Sequence, residues 1–168
     1  MVNAAFAFHK DTRIHSGAIM SLGGGDTYTG STHQKLNTKR STESELVGAD
    51  DFKPQVLRTC YFLEARGYDV RENFVYQYNH SSIILEKNGK GSSSERTRPI
   101  NIRYFFITDR IASGDLDVEY CPTGEMLAEF FTEPLRGSPF RKFRNDIINI
   151  RVTTQSEVER KRERRVDA

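Results

Sequence analysis

The chain has 168 residues, 36 % apolar and 29 % charged, with 25 basic and 23 acidic side chains giving a net charge of +2. This length suits one domain with a proper core, and the balance excludes both a disordered chain and a strong overall field aimed at nucleic acid. No apolar run approaches the ~18 residues of a membrane span, and no basic lead precedes an apolar core at the start. A soluble cytoplasmic or nuclear chain without membrane contact is expected.

Val2 to Phe8 read as a first strand, apolar on both faces, and Gly17 to Leu22 as a second. Gly23, Gly24, Gly25 and Asp26 supply the permissive backbone of a hairpin, from which Thr27 to Thr32 return as a third strand. The glycines are not read as a phosphate cradle, because no lysine of the phosphate-loop type follows and no helix opens on them. A helix is expected from Ser41 or Thr42, with Thr42 and Glu45 spaced as a capping box. Leu46, Ala49, Val56, Leu57, Cys60 and Tyr61 continue it at helical spacing; Pro54 is expected to kink or split it and Gly67 to end it.

Phe74 to Gln77 form the next strand, and Ser81 to Glu86 a short helix. Lys90 to Arg98 is a polar loop, beyond which Ile100, Tyr104, Ile107 and Ile111 mark a helix stopped by Gly114. Leu116 to Tyr120 alternate as a strand, Gly124 to Thr132 read as a helix ended by Pro134, and Leu135 to Ile150 as a last helix. Cys60 and Cys121 have no metal-ligand spacing and read as reduced, partly buried thiols. His9, His15, His33 and His80 make no zinc-protease spacing and read as surface residues. The pattern by itself gives an α/β domain with a mixed sheet: three antiparallel strands, then alternating helices and parallel strands.

Three stretches carry a resemblance. Ser41-Thr42-Glu43-Ser44-Glu45, Gln77-Tyr78-Asn79 and Tyr120-Cys121-Pro122-Thr123-Gly124-Glu125-Met126-Leu127-Ala128-Glu129 resemble motifs of the ribonuclease H region of copia-type LTR retrotransposon polyproteins. Asn101-Ile102-Arg103-Tyr104-Phe105-Phe106 is similar to the family's long helix, with Pro99 and Asn101 in place of a His and an Asp. Phe130-Phe131-Thr132-Glu133-Pro134-Leu135 is similar to its closing motif, with Glu133 where Lys is usual. The resemblance implies a ribonuclease H-like domain over residues 1–149 whose first strand is truncated, and a charged, disordered tail over 150–168. It also implies an origin as a genomic copy of an element, translated from an internal methionine.

The family cleaves the RNA strand of RNA/DNA hybrids with two divalent ions, Mg²⁺, held roughly 4 Å apart by four carboxylates. By resemblance those four positions are Asn3, Glu45, Tyr78 and Glu129. Two of them have lost the carboxylate, since Asn3 stands for one Asp and Tyr78 for another. An amide brings a neutral oxygen, and a phenol that ionises near pH 10 is a poor Mg²⁺ ligand. Glu45 and Glu129 remain as a vestigial metal pair, so the expectation is an inactive domain that retains no cofactor. The alternatives are a weakly active ribonuclease H and a non-catalytic nucleic-acid-binding module. For the module, Lys35, Lys39, Arg40, Arg96 and Arg98 are the candidate phosphate contacts.

Overall fold

A computed structural model describes residues 1–5, 14–35, 38, 40–89 and 101–150, with side chains from 106 onward in the last segment. Strands β1 (Val2–Ala5), β2 (His15–Ser21) and β3 (Asp26–His33) form an antiparallel meander in which Asn3 faces Gly17 and Gly17 faces Ser31. Helix α1 (Ser41–Ala65) follows, then β4 (Phe74–Gln77), α2 (His80–Asn88), α3 (Asn101–Ala112) and β5 (Asp117–Tyr120). Two 3₁₀ segments, Thr123–Glu125 and Leu127–Phe131, lead to α4 (Gly137–Ile147). Among the described residues no helix is long and apolar enough to cross a membrane.

The α/β class and the antiparallel meander are as expected; the single mixed sheet is not. Hydrogen bonds join β1, β2 and β3 in one sheet and β4 with β5, in parallel, in another. β1 and β4 lie side by side without a ladder between them. The backbone explains this. Ile19 donates to Met1 O, which makes Met1, Asn3 and Ala5 the residues of β1 that bond to β2. The N–H of Ala4 therefore points outward, where a β4 partner would sit, and it is taken by Glu45 Oε1 at 3.0 Å.

Apolar side chains on the two faces of the strands build two cores. Val2, Ala18, Val75 and Val118 pack with Ala49, Phe52 and Leu57 of α1 and Ile83 of α2. On the other face Ile19 and Cys121 pack with Met126, Ala128, Phe143 and Ile147, and Tyr76 and Tyr78 lean against them. Gly17 lets the second layer close: a Cβ there would lie 2.7 Å from Ala128 O.

α1 runs unbroken for 25 residues through Pro54, so the expected break is absent. Pro54 lies on the exposed side, where water can satisfy the carbonyl it leaves unbonded, while Phe52, Lys53 and Leu57 hold the opposite side in the core. The expected capping box is also absent. The helix starts at Ser41, Ser44 Oγ donates to Ser41 O at 2.6 Å, and Glu45 turns inward rather than back to the cap. The end is as expected: Gly67, at φ +85°, allows Gly67 N–H to reach Glu64 O and Tyr68 N–H to reach Leu63 O. Asn149, at φ +53°, closes α4 in the same way, with Ile150 N–H on Asn145 O.

The helix expected over Gly124 to Thr132 is instead the two 3₁₀ segments. Met126, at ψ +85°, breaks the helical path and drives its side chain fully into the second core. α4 begins at Gly137, later than expected, because Gly137 sits at φ +69° and Pro139 supplies the first turn. Cys60 and Cys121 are buried and unbridged, as expected. The second half of the expected first strand (residues 6–8), the loop from 90 to 98 and the tail from 151 lie outside the described residues.

Candidate functional site

The four positions singled out by resemblance come together where β1, α1, β4 and the second 3₁₀ segment meet. α1 delivers Glu45 because Ser44, Glu45 and Gly48 face the meander. A Cβ on Gly48 would lie 3.0 Å from Ser16 Oγ and 3.6 Å from the Ala4 Cβ, so helix and strands approach closely at this point. Gln34 secures the approach, its Nε2 donating at 2.7 Å to both Ser16 Oγ and Ser44 O.

Glu45 is wholly buried. Burial pushes its carboxyl up to about 8, although the Ala4 N–H and the Tyr78 hydroxyl beside it pull the other way. At neutral pH it is therefore mostly uncharged. Its Oε2 has no hydrogen-bond partner among the described residues. Tyr78 is half-buried, and its hydroxyl ionises well above the ordinary phenol range because of burial first, then the nearby Glu45, Glu129 and Glu133. Glu129 is also raised, by burial and then by Glu133 four residues on. Asn3 is buried, and its Nδ2 donates to Thr132 Oγ1 at 2.9 Å, which in turn donates to Glu129 O at 3.2 Å.

This donor set does not fit a pair of dications. Only Glu45 and Glu129 of the four bring a carboxylate; Tyr78 brings a phenol and Asn3 one neutral amide oxygen. Among the described residues no three His, Cys, Asp or Glu side chains gather as a ligand group would. Lys35 and Arg40 are exposed on either side of the approach to α1. The other candidate phosphate contacts, Lys39, Arg96 and Arg98, lie outside the described residues.

The structure adds a cluster that motif spacing did not flag. Lys53 of α1 and Glu86 of α2 form an ion pair at 3.3 Å with side chains 1 % and 0 % exposed. Gln77 Nε2 donates to the same Glu86 oxygen at 3.1 Å. Burial lowers the Lys53 ammonium and raises the Glu86 carboxyl, each opposed by its partner. The sequence signal for Lys53 is weak: it lies four residues after Ala49 and four before Leu57, on the buried side of α1. His80 stacks on Tyr120 with ring centroids 4.2 Å apart, at the carboxyl ends of β4 and β5.

The molecule is thus a mixed α/β domain with helices on both faces and a buried polar junction at the edge of its first strand. Its relatives are retrotransposon Pol polyproteins of plants. It is 28 % identical over 139 residues to the retrovirus-related Pol polyprotein from transposon TNT 1-94 of Nicotiana tabacum, a match over 82 % of this chain. It is 30 % identical over 147 residues to the retrovirus-related Pol polyprotein from transposon RE1 of Arabidopsis thaliana, over 86 % of this chain. In each case the chain spans only 10 % of the relative's length. No family model and no solved structure matches it. The likeness to retrotransposon polyproteins, expected from the motifs, is supported.

Proposed function

We propose that this chain is a ribonuclease H-like domain derived from a copia-type retrotransposon polyprotein, one that no longer cleaves RNA/DNA hybrids. The lineage is supported by the two plant relatives and by the order of elements, a three-stranded meander followed by alternating helices and strands. The observation that carries the loss of activity is the junction itself. It keeps two carboxylates, Glu45 and Glu129, while Asn3 and Tyr78 bring no charge. Two dications need several ionised carboxylates to offset their charge, and this junction holds too few.

The test is cleavage of a labelled RNA/DNA hybrid in Mg²⁺ and then Mn²⁺, beside an Asn3→Asp/Tyr78→Asp double variant. A silent native chain is expected, with activity recovered in the double variant. Cleavage by the native chain that disappears with Glu45→Gln overturns the proposal. A second reading, hybrid binding without cleavage, is favoured by the exposure of Lys35 and Arg40. It requires binding that weakens steeply with salt and whose slope falls by about 1 for each of these cations changed to Ala.

A further inference from the structure

We infer that Glu45, the acid which the resemblance assigns to metal coordination, serves this chain as a lock on the outer edge of β1 that requires no divalent cation. The inference stands on the geometry of the strand and holds whether or not the ribonuclease H lineage is correct. In an antiparallel pair the N–H groups of one strand point alternately toward and away from its partner. Asn3 and Ala5 point toward β2, and Ala4 points away from it. An outward N–H on a buried strand must find an acceptor, and β4, though adjacent, offers no ladder here. Glu45 Oε1 supplies the acceptor at 3.0 Å, from a residue 41 positions away.

The rest of the junction is shaped for this contact. Gly48, one turn beyond Glu45, has no side chain to hold α1 off Ser16 and Ala4. Gln34 ties the start of α1 to β2 through Ser16 Oγ and Ser44 O. On the opposite face of β1, Asn3 is bonded to Thr132 of the other layer. Consecutive residues of β1 are therefore bound to different layers, Asn3 to the 3₁₀ side and Ala4 to the helix side. The oxygen accepting Ala4 N–H is turned into the strand edge, so the lock uses Oε1 and leaves Oε2 out of the bond.

Amide hydrogen exchange on the full-length chain tests this, residue by residue across β1, in EDTA and again in Mg²⁺. In EDTA the Ala4 amide is expected to be protected in the native chain and in Glu45→Gln, which keeps the acceptor oxygen. In Glu45→Ala it should exchange at least tenfold faster relative to Asn3 and Ala5, whose bonds to β2 remain. An unchanged ratio of Ala4 to its neighbours in Glu45→Ala overturns the inference. So does Mg²⁺-dependent protection of Ala4 in the native chain that Glu45→Gln abolishes. If Glu45→Ala does not fold, the comparison of native chain and Glu45→Gln, with and without Mg²⁺, decides between lock and ligand.

Discussion

At the scale of single residues, Glu45 should dominate how stability depends on pH. Its folded-state value is about 8, against an ordinary value of 4.5 for a carboxyl in the unfolded chain. Between these limits the folded chain holds the extra proton, so stability is full below the lower value and is lost as pH rises through the upper one. A loss of up to ~1.4 kcal/mol per pH unit is expected across that window. Urea midpoints at pH 5, 6.5 and 8 should fall steadily in the native chain and much less in Glu45→Gln. Glu86, raised in the same sense, accounts for a remaining slope. The Lys53–Glu86 pair gives a second prediction, because both side chains are out of water. Lys53→Met leaves a carboxyl buried beside Gln77 without its cation and should cost about 3 kcal/mol or more. Lys53→Met with Glu86→Gln should cost less than the two changes added together, measured as a double-mutant cycle in urea. Both acids were open to sequence reading in different degrees. Glu45 sits in a recognisable motif, whereas no motif marks Glu86 or Lys53, which the packing of α1 on α2 brings together.

At the scale of elements, the strands and helix ends were legible because their signals are local. β4 lies where alternation put it, and Gly67 ends α1 where a left-handed residue was needed. Asn79 caps α2 by accepting from Ser82 N–H at 3.2 Å. Asn79→Ala should cost about 1 kcal/mol, read from the thermal midpoint. The misreadings share a cause. Pro54, the Thr42–Glu45 spacing and the run from Gly124 to Thr132 each carry a local preference that burial of a neighbour overrides. Phe52 and Leu57 carry α1 past its proline, Ala4 draws Glu45 away from the cap, and Met126 pulls the Gly124 run out of helix. Layer packing predicts the effect of a small change as well. Gly17→Ala forces a Cβ against the Ala128 carbonyl and Thr132 Cγ2, both at 2.7 Å, and backbone cannot yield cheaply. A loss of about 1–3 kcal/mol is expected in denaturant unfolding.

At the scale of the whole molecule, the two thiols report on global opening. Cys60 belongs to α1 and Cys121 to the second core, and both are buried and unbridged. Neither should react with a disulfide reagent in the native chain at a rate above that of unfolding. Both should react together in urea across a single transition, as a domain with two cores sharing one set of strands requires. Fast modification of one thiol in buffer would show that its layer opens alone. The sequence by itself determined the α/β class, the order of the strands and most helices, and the likeness to retrotransposon polyproteins. All of these rest on local periodicity or on short motifs read in register. Only the tertiary structure decided that β1 stops short of pairing with β4, that Glu45 is neutral and turned into the strand edge, and that Lys53 meets Glu86. Charge state and edge pairing depend on which groups lose water together, and desolvation is set by contacts between residues far apart in the chain.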